Sequence, residues 1–161
     1  MDRDIPIVCL VETAVGVSRV EDIAPHAARL AFGALDLAAD LACAPTNQAL
    51  HYARSRIILA SRLGDLPAPL DGVTANFRDL EAVEEDSWQA VQLGFGGKLC
   101  IHPSQVKPVK GQFALTPEDI AWAKQVLELD DGVAVLNGQM IDAPIRLRAR
   151  AIYARSTQRC G

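Results

Sequence analysis

The chain has 161 residues, half of them hydrophobic and 22% charged, enough for one ordinary domain or for one domain with a small appendage. A net charge of −4 with a pI near 5.3 argues against a general nucleic-acid binder, which would carry a basic face. No apolar run approaches the roughly 18 residues of a membrane span, and the acidic Met1-Asp2-Arg3-Asp4 start resembles no leader peptide.

The elements alternate. Residues 5–12 read as a buried strand, followed by a turn at Gly16 and a helix near 19–29. Residues 30–36 read as a second strand, and a loop through Cys43-Ala44-Pro45 leads to Thr46, the cap of a helix running to Arg62 with Leu50, Ile57 and Ile58 on one side. Gly64, Pro67 and Pro69 end that helix, and residues 70–75 form a short strand. Asp79 or Asn76 opens a helix whose apolar set is Leu80, Val83, Trp88, Val91 and Leu93, with Trp88 expected in the core. Gly94-Phe95-Gly96-Gly97 ends it, and residues 98–102 make a further strand. Strands alternating with helices imply a right-handed parallel β/α array.

After residue 112 the pattern changes. Thr116-Pro117-Glu118-Asp119 starts a helix that carries Ile120, Trp122, Val126 and Leu127. Residues 132–141 read as a hairpin turning at Asn137-Gly138, and a last helix with Arg146, Arg148, Arg150 and Arg155 follows Asp142 and Pro144. The division expected is 1–114 for the β/α array and 115–161 for a C-terminal appendage or lid. Cys9, Cys43, Cys100 and Cys160 are scattered without Cys-x-x-Cys spacing. Cys9 and Cys100 fall in strand-like runs as small hydrophobes, so a reducing cytoplasm is the expected compartment.

Two carboxylates close apolar runs: Glu12 ends residues 5–12 and Asp36 ends residues 30–36. Ligands and metals gather at the C-terminal ends of parallel strands, and two such carboxylates suit a hard divalent cation. The competing reading for each is helix capping or a loop ion pair. Asp40 reads as solvated or capping. Arg54, Arg56 and Arg62 read as a solvated helix face, with contact to the phosphates of a polyanionic ligand as the sharper alternative. Lys98, starting its strand, is placed at the end away from the metal. His102 reads as a hydrogen-bonded loop anchor ahead of a catalyst.

Val11-Glu12-Thr13-Ala14, Phe32-Gly33-Ala34-Leu35-Asp36-Leu37, Gly96-Gly97-Lys98-Leu99-Cys100-Ile101-His102-Pro103-Ser104-Gln105 and Met140-Ile141-Asp142-Ala143-Pro144 occur in that order. Together they resemble the C-terminal half of the citrate lyase β-subunit-like family, within the HpcH/HpaI aldolase/citrate lyase superfamily, from about Ile5 to Arg155. The resemblance implies an α/β fold, half of a TIM (β/α)8 barrel of about four β/α units with a helix–hairpin–helix appendage. It implies a Mg2+-dependent carbon–carbon lyase that cleaves or forms 3-hydroxyacyl-CoA esters such as citryl-, malyl- or citramalyl-CoA. Mg2+ would be held by Glu12 and Asp36, and Asp142 would be the acid/base residue offered to a neighbouring subunit's site. The expected partners are an acyl-CoA or acyl-carrier thioester and a second copy or a separate N-terminal half-barrel, with no nucleic acid and no membrane. On the same resemblance the first four barrel strands are absent, with an arginine that grips the substrate carboxylate. The alternative is therefore an inactive half-barrel remnant serving as a binding or assembly partner. Two departures stand out: Val15 where many relatives have arginine, and Ala42 where a glycine commonly follows the second acidic loop.

Overall fold

The four strand-like runs of the first 113 residues form one parallel sheet, but each strand is shorter than its apolar run. In the computed structural model, which describes residues 5–129 and 132–157, β1 (Val8–Val11), β2 (Arg29–Phe32), β3 (Leu70–Asp71) and β4 (Gly97–Lys98) pair in that order. Val11 faces Phe32, Ala31 faces Leu70, and Asp71 faces Lys98. The Met1–Asp4 segment and Cys160 lie outside the described residues.

Between β1 and β2 the chain forms α1 (Ala14–Ser18), α2 (Val20–Ile23) and one 3-10 turn, instead of one helix over 19–29. Thr13 caps α1 by accepting from Gly16 N. After β2 comes α3 (Ala34–Asp40), so the expected strand over 30–36 stops at Phe32. Gly33 breaks the extended run, and Ala34, Leu35, Leu37, Ala38 and Ala39 are strong helix formers that bury Leu37 and Ala38 on one side. Asp36 therefore lies in the first turn of a helix, not at the end of a strand.

The long helix α4 (Asn47–Leu63) is capped by Thr46, as the sequence indicates, and α5 (Leu80–Leu93) is capped by Asp79. A 3-10 turn at Pro103–Gln105 and α6 (Val106–Gln112) follow β4. The core lies between the sheet and these helices: Leu30, Phe32, Leu37, Ile57 and Val20 are fully buried. Each such side chain contributes about 1.5–3 kcal/mol by leaving water. Trp88 does not join them; it is 51% exposed, and Val83, Ser87 and Ala90 form the buried stripe of α5. Cys100 is also exposed, because β4 ends two residues before it.

Backbone contacts divide the chain into two units, Met1–Phe113 and Ala114–Gly161. In the second, α7 (Pro117–Glu128) opens with a reciprocal Thr116–Asp119 capping box. The antiparallel strands β5 (Ala134–Leu136) and β6 (Gln139–Ile141) flank Asn137 and Gly138, both at positive φ as a two-residue hairpin turn requires. They lead into α8 (Ala143–Thr157), and Ala123, Val126, Ile141 and Ala149 form this unit's own core. The buried Arg146 donates to the carbonyls of Val126, Leu129 and Gly132, tying α8 to the C-terminal end of α7.

Candidate active site

Parallel pairing brings Val11, Phe32, Asp71 and Lys98 to one level across the sheet, so Glu12, Gly33, Gly72 and Leu99 crown its C-terminal end. Gly33 N donates to Val11 O at 2.9 Å, which lays the glycine beneath the Glu12 side chain. A Cβ at Gly33 would stand 2.4 Å from Glu12 Cβ and 3.0 Å from Oε2, so only glycine leaves this carboxylate its place. Gly72 does the same for α3: a Cβ there would lie 2.6 Å from the Ala34 side chain at the start of the helix that carries Asp36.

Glu12 is half-buried and Asp36 is exposed, and neither has a hydrogen-bond or ion-pair partner among the described residues. Both carboxylates therefore keep their oxygens open to a ligand. Asp40 is already used: its Oδ2 accepts from Ala14 N at 2.7 Å at the start of α1. No group of three or more His, Cys, Asp or Glu gathers among the described residues. A cation here would have at most two protein carboxylates, which fits Mg2+, an ion that keeps several positions for water and substrate oxygens.

One level below the carboxylates lies a buried polar network. Asp71 accepts from Arg54 Nε at 3.1 Å and Nη2 at 2.7 Å, and Lys98 Nζ stands 3.6 Å away while donating to Gly72 O at 2.6 Å. Arg54 Nη1 donates to Asn47, whose amide donates to Asp86; Asp86 also accepts from Thr74. Gln105 Nε2 closes the set on Thr74 O. Two cations meet two anions, so the network is neutral in total, and it forms one wall of a cleft of about 370 Å³ that also includes Phe32, Leu35 and Leu50. Burial holds the Lys98 ammonium below the ordinary lysine range despite the opposing pull of Asp71 and Asp86.

This network corrects two expectations. Arg54 is 2% exposed, not solvated; Arg56 is partly buried and pairs with Glu21 at 3.1 Å, and only Arg62 keeps the exposed position assigned to it. Lys98 sits at the C-terminal end of its two-residue strand, on the carboxylates' side of the sheet. The missed signal for Arg54 is its spacing: four residues after Leu50 and three before Ile57, it falls on the buried stripe of α4. His102 is the loop anchor expected, accepting from Ser104 N through Nδ1 at 3.2 Å. In the second unit Asp142 Oδ1 accepts from Ile145 N at 3.2 Å at the start of α8.

The model of the HpcH/HpaI aldolase/citrate lyase family matches residues 1–103 of this sequence. The chain belongs to that family. A second model, for carbon–carbon bond lyases of the TIM-barrel fold, matches residues 73–158 of this citrate lyase-family chain. A citrate lyase subunit beta-like protein of Deinococcus radiodurans is 36% identical over 93% of the chain and 56% of its own length. The mitochondrial citramalyl-CoA lyase of Rattus norvegicus is 28% identical over 98% of the chain and 52% of its own. Among solved structures, CitE from Mycobacterium tuberculosis in complex with magnesium, acetoacetate and coenzyme A superposes with a TM-score of 0.82 at 30% identity, covering 96% of the chain and 62% of that protein. The citrate lyase-family chain thus spans about half the length of the curated relatives it matches. Its α/β architecture with a parallel sheet is that of TIM-barrel-type lyases.

Proposed function

We propose that this chain is the metal-bearing part of a carbon–carbon lyase acting on a 3-hydroxyacyl thioester of the citryl-, malyl- or citramalyl-CoA type. The observation that carries the reading is Glu12, a half-buried carboxylate without a partner among the described residues, seated over Gly33 at the C-terminal end of a parallel sheet. The CitE relative is described with magnesium and coenzyme A, and the rat relative as a citramalyl-CoA lyase, which supports both the metal and the substrate class. Glu12 and Asp36 would hold Mg2+, and when bound it would stabilise the negative charge that develops on the 2-oxo-acid oxygens.

The protein's own groups have separate tasks. As the bond between the thioester α-carbon and the hydroxyl-bearing carbon breaks, the hydroxyl gives up its proton to become the carbonyl of the 2-oxo acid, and the departing thioester enolate takes one up. Asp142 is assigned that transfer, at a neighbouring subunit's site; its Oδ1 is engaged with Ile145 N, which leaves Oδ2 to carry the proton. The Arg54–Asp71–Lys98 network holds the ends of β3 and β4 in place below.

On this reading the four strands are consecutive β/α units of a barrel, and the hairpin between α7 and α8 belongs to an appendage. The free edge of β1 exposes Ile7, Val8 and Leu10 at 60%, 54% and 48%, an apolar edge suited to further barrel strands from a second copy or a separate N-terminal half. That edge favours a second reading, an assembly partner without turnover. Incubating the purified chain with citramalyl-CoA and Mg2+ and following the 2-oxo acid released separates the two. The lyase reading predicts turnover that disappears in Glu12→Gln and Asp36→Asn. Absence of turnover together with association on a sizing column would favour the assembly reading.

A further inference from the structure

Asp40 is the last residue of α3, where a carboxylate faces the unsatisfied carbonyls of its own helix and is locally unfavourable. It bonds to a distant part of the chain instead: its Oδ2 accepts from Ala14 N at 2.7 Å. Capping α1 does not account for this bond. Thr13 already caps that five-residue helix through Gly16 N, and the exposed Ala14 has water available for its N–H. What the contact adds is a second tie between two segments that also meet where Gly33 N donates to Val11 O at 2.9 Å.

The two ties enclose both candidate metal ligands. Glu12 lies between Val11 and Ala14 on one segment, and Asp36 lies between Gly33 and Asp40 on the other. Asp36 and Asp40 are four residues apart in α3, hence on the same side of the helix, and a displacement of one carries the other. The buried Leu37 and Ala38 hold the inner side of α3, whereas its start has no side-chain cap. On the outer side Asp40 alone, by this bond, joins the segment of Asp36 to that of Glu12. A cation with only two protein carboxylates has no third protein ligand to restore their spacing once the outer tie is cut.

We infer that Asp40 is a positioning residue, which sets the spacing of Glu12 and Asp36 by bracing α3 against the start of α1. The inference rests on the metal reading of those two carboxylates. Its test is the Mn2+ affinity of the full chain, with Mg2+ as competitor, in about 0.5 M KCl to screen exposed charges. Asp40→Ala should weaken binding roughly tenfold, the scale of losing a group that orients a metal ligand. Ala14→Pro should weaken it equally. Proline suits the first position of α1 after the extended Thr13 but has no N–H to donate, and the Asp40 charge stays. Asp40→Asn keeps an acceptor for Ala14 N and, with its lost charge screened, should bind within roughly threefold of the parent chain. Both positions are exposed, so the variants should keep the fold by circular dichroism. Parent-like affinity in Asp40→Ala and Ala14→Pro would reduce the bond to a helix cap and overturn the inference. Normal binding in Ala14→Pro with equal losses in Asp40→Ala and Asp40→Asn would also overturn it, because Asp40 would then act by its charge or as a ligand. A parent chain that binds no Mn2+ would sink the metal reading and the brace together, whereas the two preceding outcomes sink the brace alone.

Discussion

Replacing Asp71 with asparagine tests whether the buried network holds the sheet's C-terminal end together. The side chains of Arg54, Asp71 and Lys98 are only 3–4% exposed, and Asp71 lies between the two cations. Asp71→Asn keeps an acceptor for one guanidinium N–H but leaves two cations facing Asp86 alone. Removing one partner of a buried ion pair costs about 3–5 kcal/mol, a large share of the roughly 5–15 kcal/mol that holds a domain folded. At a urea slope of about 1.5–2 kcal/mol/M the midpoint should fall by roughly 2 M. The assay is urea unfolding in a Trp122→Phe background, so that Trp88 in α5 reports on the first unit, checked against far-UV circular dichroism. The variant Arg54→Met, Asp71→Leu, Lys98→Met, Asp86→Asn should recover much of the loss, because it leaves no charge in the network while the introduced amide keeps an acceptor for Thr74. A change under about 1 kcal/mol in Asp71→Asn would show that water reaches the network and that the reasoning from burial is wrong.

Other substitutions probe separate features. Gly33→Ala should weaken Mg2+ binding roughly tenfold by displacing Glu12, the scale of losing a group that orients a metal ligand. Gly96→Ala, equally tight at 2.6 Å from Arg29 Nη2, should lower stability and leave Mg2+ affinity unchanged. Ala42 has φ 51° at the end of α3, where Cys43 N bonds Ala38 O and Ala42 N bonds Ala39 O, the termination that favours glycine. Ala42→Gly should therefore stabilise the chain by about 0.5–1 kcal/mol, the relief of left-handed strain less the added chain entropy, in the same urea assay. Lys98 has its folded pKa lowered from 10.5, so between the lowered value and 10.5 the unfolded chain binds more protons. Stability relative to Lys98→Met should rise with pH through that window, and a difference that falls there would contradict the assigned direction.

The sequence told most where local chemistry decides the structure. Thr46, Asp79 and Thr116 are caps, Asn137-Gly138 is a turn, and the order of strands and helices follows from their alternation. It told least where tertiary contacts decide. The run over 30–36 reads as one strand, yet Gly33 breaks it and packing of Leu37 and Ala38 against the core completes the turn of its second half into α3. Charge misled in α4, because Arg54 looks like a solvated residue until Asp71, from a strand 17 residues later, is beside it. Trp88 misled in the other direction, since spacing alone does not show that Ser87 and Ala90 take the inner side of α5. At the site, Glu12 and Asp36 were visible as acidic ends of apolar runs. Gly33 and Gly72, whose missing side chains make the room, were not, because a glycine's spatial neighbours are invisible without the fold.

The central claim is that Glu12 and Asp36 together hold one divalent cation. Titrating Mn2+ into the full chain by electron paramagnetic resonance, with Mg2+ as competitor, measures this without relying on turnover. One Mg2+-displaceable site per chain is predicted, lost in Glu12→Gln and in Asp36→Asn while the fold seen by circular dichroism is retained. Manganese binding of unchanged affinity in both variants would contradict it.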